Sequence, residues 1–371
     1  MAAVNTEILA LGDTDYATPP GDTLRDLLEE QGLTQRDLAR RAGLSAKHVN
    51  RLLQGVVPLS PNVAQRLEHV TGTPARLWNR LEANYRSDLE RLRAQRDLAE
   101  CSGWADDMPV RELVRRGMLP DEPRDNASRV EQLLSFFGVA SVEAYQDVYG
   151  DMACAFRQSK AYPARPGAVA AWLRLGEIAA QDIRCAPFDK AGLQAALPQL
   201  RALTIEADDA YGPKLQEICA ANGVAVVFVE EVTGARASGV MRWLTPAKAL
   251  IQLSFRYRTD DHLWFTFFHE VGHVLRHGKT EVWIEGRADA DGDPREAEAD
   301  RFARDILIPA TDARALGRLT SPSAVREYAA AIGIAPGIVV GRLQHDDHWA
   351  MSRGNDLKRH VVLPGTGDDN G

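Results

Sequence analysis

The stretch His269-Glu270-Val271-Gly272-His273 decides the fold of the second half of this chain. On a helix, residues four apart lie on the same face, so both imidazoles can bind one metal ion while Glu270 flanks the remaining coordination position. A zinc ion with three protein ligands keeps an open position for water and lowers the pKa of that water, and a nearby carboxylate can accept its proton. The motif therefore predicts a zinc hydrolase.

The flanking sequence places this motif on a helix that packs against a sheet. Val224 to Val229, after the turn Asn222-Gly223, and Ala249 to Ser254 are typical of buried strands. The apolar run Leu263 to Phe268 leads into the histidines. With nine histidines in 371 residues, the motif arises by chance in about one chain in a hundred, so two unrelated histidines are the weaker interpretation. We expect Ile251 to Ser254 to form an edge strand that receives an extended substrate.

A third metal ligand is expected from a helix downstream. Glu296 and Asp300 are four residues apart and share a face, so we assign Glu296 to the metal and Asp300 to orienting a ligand histidine. Glu298 is the alternative ligand, but it lies about 200° around the helix from Glu296, so both cannot bind the same ion. An acidic, solvated helix face is the alternative without a metal. We interpret His277 as a solvated or hydrogen-bonded histidine.

These segments resemble the ImmA/IrrE family of zinc metallo-endopeptidases. The resemblance is carried by Phe265 to His277 and by Glu296 to Pro309. It implies a gluzincin-like endopeptidase with one Zn²⁺ per chain. The residues that match the family's site are His269, His273 and Glu296 as metal ligands and Glu270 as the catalytic base.

A second pattern, near the start of the chain, predicts a helix-turn-helix. Thr34 can cap a helix that begins at Gln35, and Ser45 can cap a second helix that ends at Gly55. Residues 34–55 carry five basic side chains and one acidic side chain, whereas the whole chain has a net charge of −8. Such a basic patch indicates one confined nucleic-acid face. An ordinary helical bundle with a charged surface is the alternative.

Residues 20–95 resemble the Cro/C1-type (XRE) helix-turn-helix of the HigA antitoxin group. The matching stretches are Gly32 to Ala39 and Thr73 to Leu81. The resemblance implies binding to double-stranded operator DNA, and the two-fold symmetry of most operators leads us to expect a homodimer. The residues expected to contact the DNA are Gln35, Lys47, His48, Asn50 and Arg51.

The chain as a whole is expected to be multidomain and mainly α-helical. Its last helical pair, around Gly333 to Pro336, is expected to close the core of the zinc domain, and independent DNA binding by this pair is the alternative. The predicted parts are a flexible N-terminus (1–19), an all-α helix-turn-helix domain (20–82), a helical linker (83–210), an α+β zinc-peptidase-like domain with a small sheet packed on the motif helix (211–350), and a disordered tail (351–371).

The composition indicates a cytoplasmic protein without a membrane partner. The first residues lack a secretory signal, and no apolar run reaches the roughly 20 residues that span a bilayer. The four cysteines are widely spaced without a C-x-x-C pattern, which favours scattered buried thiols over disulfides or a second metal site. They are Cys101, Cys154, Cys185 and Cys219.

Two functions are consistent with this combination. In the first, a DNA-binding transcriptional regulator carries a zinc-dependent endopeptidase that cleaves a partner or itself in a regulated stress or mobile-element response; by resemblance, the partner is a helix-turn-helix repressor or a toxin. In the second, a HigA-type antitoxin or repressor uses its zinc domain for sensing or partner binding without significant proteolysis. The intact Glu270 favours turnover because structural zinc sites usually have four protein ligands. Since constant activity would digest the partners, we expect a latent enzyme.

Overall fold

The computed structural model describes residues 16–120, 125–150, 164–278, 283–284 and 294–361. These residues form two compact units, one comprising residues 16–102 and 125–130 and the other comprising the rest. Both are rich in helices, and the second contains one small sheet. The mainly α, multidomain fold class is thereby confirmed. Most of the predicted flexible N-terminus lies outside the described residues.

The first unit is all-α and is built around one apolar core. Apolar residues recur at helical spacing, so each helix turns one face towards that core. Leu24, Leu38, Val49, Leu67 and Trp78 are fully buried there, and burial of each such side chain stabilises the fold by about 1.5–3 kcal/mol. The helices are α1 (Pro20–Glu30), α2 (Gln35–Ala42), α3 (Ala46–Leu53), α4 (Pro61–Thr71) and α5 (Ala75–Glu100).

The predicted boundary after residue 82 lies inside α5, which continues without a break to Glu100. Residues 75–100 contain no glycine or proline, so nothing in this stretch ends the helix. In the described residues, seven further α-helices precede the sheet. They are α6 (Ser102–Ala105), α7 (Val110–Arg115), α8 (Asn126–Phe137), α9 (Val142–Tyr145), α10 (Pro166–Gln181), α11 (Lys190–Ala202) and α12 (Asp208–Ala220).

The predicted linker, 83–210, is not a separate connector over its described part. Arg116 donates hydrogen bonds to the backbone oxygens of Glu230 and Glu231, at 3.0 and 2.9 Å. On α10, the indole of Trp172 is fully buried and donates to the carbonyl of Val229 at 3.0 Å. The division predicted at residue 210 is therefore wrong, because these helices supply core and hydrogen bonds to the same unit as the sheet.

The sheet has the strand order β1-β3-β2-β4. Its strands are β1 (Val224–Phe228), β2 (Gly239–Thr245), β3 (Lys248–Leu253) and β4 (Trp283–Ile284). β3 pairs with β1 in parallel and with β2 antiparallel, and β4 pairs antiparallel with β2. The two predicted strands are present, but the prediction that Ile251 to Ser254 form an edge is wrong. Since β3 has a partner on both sides, its backbone groups cannot receive a substrate strand.

The motif lies on α13 (Asp260–Arg276), which packs on the sheet and on α14 (Pro294–Leu307). Phe267, Phe268 and Val271 fix α13 through complete burial in the core of the second unit. A Cβ atom at Gly272 would lie 3.2 Å from the Cα of Ala299 on α14. The absence of a side chain at Gly272 therefore lets the two helices approach closely.

The end of the described chain completes the same core. The remaining helices are α15 (Ala310–Ala313), α16 (Pro322–Ile332) and α17 (Pro336–His345). Val325 on α16 and Val339 on α17 are fully buried in the core that holds α13, so this pair closes the core as predicted. The predicted disordered tail begins too early, because Leu357 and Val361 are buried; residues 362–371 lie outside the described ranges.

The described residues contain free cysteines and no single helix with the length and hydropathy of a membrane span. Among pairs of neighbouring helices within the described ranges, only α16 and α17 meet that criterion together, and they are bent by 114° relative to each other. Cys219 is buried as a thiol, whereas Cys101 and Cys185 are half-buried. Cys154 lies outside the described residues.

Candidate metal centre

Helix α13 brings the two motif histidines together in the interior of the second unit. Because they are four residues apart, their side chains lie on one face, and their Nε2 atoms are 2.9 Å apart. The side chains of His269 and His273 are 3% and 1% exposed. Glu270, which lies between them in sequence, is fully buried. Three polar side chains at this depth indicate a built site, because buried polar groups are costly without partners.

Helix α14 contributes Glu296 to the same point. Its carboxylate oxygens lie 3.1 Å from Nε2 of His269 and 3.6 Å from Nε2 of His273. A tetrahedral zinc ion with bonds of about 2.0–2.1 Å separates its ligand atoms by about 3.3 Å. The three side chains therefore fit zinc in both chemistry and spacing, and their ligand atoms all lie within 4.8 Å of one another.

The electrostatics of these groups also suit a cation. Burial raises the pKa of Glu296, but hydrogen bonds with His269 and His273 outweigh burial and lower the pKa to about 2. Burial lowers the pKa of His273, although its hydrogen bond with Glu296 opposes that shift. An ionised carboxylate and neutral imidazoles are the protonation states in which these groups bind metals.

Two further contacts involve the acidic residues of α14. Asp300 Oδ1 lies 2.9 Å from Nδ1 of His269, the ring nitrogen that faces away from Glu296. Such a contact fixes the tautomer and the orientation of a ligand histidine. Glu298, the alternative ligand, lies instead 3.7 Å from His277, and His277 contacts Nδ1 of His273 at 2.8 Å. The structure thus places Glu296, and not Glu298, beside both motif histidines.

The start of β2 forms a contact beside Glu270 that the sequence analysis missed. A Cβ atom at Gly239 would lie 2.9 Å from Oε1 of Glu270 and 2.5 Å from Cγ2 of Thr266. Gly239 therefore leaves the space that the carboxylate occupies. No local signal marks this glycine, because it is far from the motif in sequence and its strand was not predicted.

Helices α2 and α3 of the first unit form the predicted helix-turn-helix. The hydroxyl of Thr34 accepts a hydrogen bond from the backbone N–H of Asp37 at 3.1 Å, and the Asp37 carboxylate accepts one from the backbone N–H of Thr34. The hydroxyl of Ser45 accepts from the N–H of His48 at 3.1 Å. Gly43, with φ of 63°, ends α2 in the left-handed conformation that glycine favours.

The residues predicted to contact DNA are mostly on the surface. Gln35, Lys47, Asn50 and Arg51 are exposed, so their side chains are available to a ligand. His48 is half-buried, and its Nε2 atom is inaccessible to solvent. The opposite face of α3 holds the helix in place through its buried apolar residues, which are Val49, Leu52 and Leu53.

Comparisons with known proteins identify the two motifs separately. A family model described as a helix-turn-helix matches residues 24–78, and one described as an IrrE N-terminal-like domain matches residues 226–343. The chain is also similar to an uncharacterized HTH-type transcriptional regulator, YddM, of Escherichia coli strain K12. The two are 32% identical over 81 residues, which cover 20% of this chain and 86% of the E. coli protein.

These matches lie on the two parts that the geometry distinguishes. The first includes the capped helices α2 and α3, and the second includes the sheet, α13 and α14. The chain therefore belongs to the Cro/C1-type (XRE) helix-turn-helix regulators and carries, fused to that domain, a peptidase-family domain of the ImmA/IrrE type.

Proposed function

We propose that this DNA-binding regulator is a zinc-dependent endopeptidase that cleaves a partner repressor, a toxin or itself. The observation that carries the proposal is the convergence of His269, His273 and Glu296 on one point, with Glu270 buried beside them. Three protein ligands are the usual set of a catalytic zinc site, whereas structural sites have four.

The residues of this chain have separable roles in that reaction. Zinc held by His269, His273 and Glu296 would supply the positive charge that polarises a peptide carbonyl and activates water. Glu270 accepts the proton of the attacking water and later delivers it to the leaving amine. Asp300 keeps the His269 ring oriented through the 2.9 Å contact at Nδ1.

The first unit would localise the peptidase domain by binding DNA. The exposed basic side chains of α2 and α3 support binding to double-stranded operator DNA, and operator symmetry supports a homodimer. A DNA-bound regulator acts in the cytoplasm, without a membrane partner. The substrate is then a protein found at the same promoter, for which a helix-turn-helix repressor is the best candidate.

The burial of the site favours one alternative function. The two histidines are at most 3% exposed and Glu270 is fully buried, so we infer that the access of a peptide to them is restricted. A HigA-type antitoxin or repressor that uses the zinc domain to sense a signal or bind a partner needs no such access. The same burial in a true enzyme means latency.

Cleavage by matched variants tests the proposal. Purified full-length protein with zinc is incubated with candidate helix-turn-helix repressors, and the products are identified by mass spectrometry. Wild type and Glu298→Gln should cleave alike, whereas Glu270→Gln should lose about 10²–10⁴-fold in rate with its zinc retained. Equal cleavage by Glu270→Gln contradicts the assigned role. A zinc-loaded, DNA-binding wild type that cleaves neither these repressors nor itself supports the sensing function.

A further inference from the structure

A cavity of about 650 Å³ lies in the second unit beside the candidate metal centre. Its size falls within the range of about 300–1,000 Å³ that is usual for small-molecule sites. Six separate parts of the chain line it: the segment before β2, the segment after β3, α13, α14, α17, and the segment that follows α17. Its lining includes Arg256, Phe265, Arg304, Ile338 and Lys358.

Three of the lining residues adjoin the metal centre. Phe265 lies one helical turn before His269, and their ring centroids are 6.3 Å apart. Ser238 directly precedes Gly239, whose backbone lies against Glu270. Arg304 lies one turn after Asp300 on α14. An occupant of the cavity would therefore contact the segments that carry the metal ligands.

The cavity is strongly cationic although the chain as a whole is acidic. Its described lining includes four arginines and one lysine against a single carboxylate, that of Asp261. Two of the five cations are paired: Lys358 lies 2.7 Å from Asp261, and Arg342 lies 2.7 Å from Asp346. Among the residues that the structure describes, no carboxylate lies within ion-pair distance of Arg256 or Arg304.

The uncharged part of the lining includes a continuous apolar portion beside several polar side chains. Phe265, Leu307, Ile308 and Ile338 supply hydrocarbon surface from three helical segments. Lys358 closes one side, because its ammonium also donates to Oε1 of Gln344 at 2.8 Å and so fixes the segment after α17. A space of this volume, lined by six parts of the chain, suits a small ligand.

We propose that this cavity binds a small organic anion, consisting of a carboxylate on a hydrocarbon body. The carboxylate would pair with the Arg304 and Arg256 guanidinium groups, for which arginine geometry is well suited. The hydrocarbon part would pack on Phe265 and Ile338 and displace water from the apolar wall. The proposal concerns ligand binding and does not depend on peptidase activity.

Calorimetric titration of the full-length, zinc-loaded protein with octanoate tests this site. Octanol and octylamine have the same hydrocarbon body without the negative charge. We expect saturable binding of octanoate at one site per chain and at least tenfold weaker binding of octanol and octylamine. Arg304→Gln should weaken octanoate binding about tenfold or more, Arg304→Lys should restore most of it, and Arg301→Gln, an exposed position on the same helix, should change nothing.

Three outcomes overturn the proposal. If octanoate does not bind, or if it binds equally to wild type and Arg304→Gln, the cavity is not the proposed anion site. Binding that survives Arg304→Gln but disappears in His269→Ala places the carboxylate on the metal instead. A glutamate-containing peptide that binds through Arg304 when octanoate does not would make the cavity a peptide subsite. The zinc content of the Arg304 and Arg301 variants, measured in parallel, shows whether their fold around the cavity is intact, and circular dichroism shows this for His269→Ala, which should lose its zinc.

Discussion

The helix-turn-helix and the candidate metal centre are specified by contacts of very different range. In the first, Thr34 bonds to Asp37 and Ser45 bonds to His48, so each turn is fixed by residues three apart. In the second, His269 meets Glu296 from another helix, and Glu270 lies against Gly239 at the start of a strand. Local contacts thus determine the exposed surface of the helix-turn-helix. The buried metal centre depends instead on how elements that are distant in sequence pack together.

The largest loss of cleavage rate is expected from a substitution at the contact between β2 and α13. The Cβ atom of Gly239→Ala would lie 2.9 Å from Oε1 of Glu270, so the carboxylate must move. Displacement of a catalytic group by about 1 Å costs about a hundredfold in rate, and we expect that loss in the cleavage assay. Gly103→Ala is the matched control, because its Cβ would meet nothing within 4 Å. An unchanged rate for Gly239→Ala would show that Glu270 does not need this long-range contact.

The next largest effect is a loss of zinc affinity when the contact between α13 and α14 is weakened. Asp300→Asn weakens the acceptor at Nδ1 of His269, and loss of such a support typically costs about 10–100-fold in metal affinity. Competition with a chelator of known zinc affinity measures the change. Asp305→Asn, an exposed acid on the same helix, should bind zinc like wild type. Equal affinities for Asp300→Asn and wild type would mean that the 2.9 Å contact is incidental.

A smaller effect is expected on the exposed surface of α3. Arg51→Ala should weaken operator binding about tenfold, and if Arg51 contacts a phosphate, the slope of log affinity against log salt falls by about one. Zinc content should not change, since the two sites lie in different units. Arg93→Ala removes an exposed arginine of α5 outside the helix-turn-helix and serves as the control. If Arg93→Ala and Arg51→Ala have equal effects, the surface of α3 is not the DNA face.

The smallest effect concerns the stability of the first unit and depends on the cap at the start of α2. Thr34→Ala removes the side-chain cap of α2 and should lower the free energy of unfolding of the first unit by about 1 kcal/mol, while Thr34→Ser should lower it much less. Hydrogen bonds with Thr34 lower the pKa of Asp37. The stabilising contribution is therefore present above the ordinary aspartate pKa and is lost as the pH falls through the lowered value. Denaturant unfolding at two pH values measures both effects; a pH-independent difference would exclude the pairing of Thr34 with Asp37.

The features that could be predicted from the sequence are those fixed by local contacts, whereas features fixed by long-range contacts could not be predicted. The caps at Thr34 and Ser45, the helix of His269 and His273, and the placement of Glu296 on a following helix all depend on spacing within one element. The central position of β3 depends on its pairing with β2, a strand that no sequence pattern marked. The packing of α10 on the sheet and the burial of Leu357 are likewise tertiary, so the linker and the tail were assigned wrongly.

The zinc content of the purified full-length protein tests the central claim most directly. Mass spectrometry of the metal should find about one zinc ion per chain in wild type, almost none in His269→Ala and about one in His277→Ala, whose imidazole lies beside the site without being assigned as a ligand. A wild type without bound metal, or a His269→Ala variant that retains its zinc, would contradict the assignment of His269, His273 and Glu296 as a metal centre.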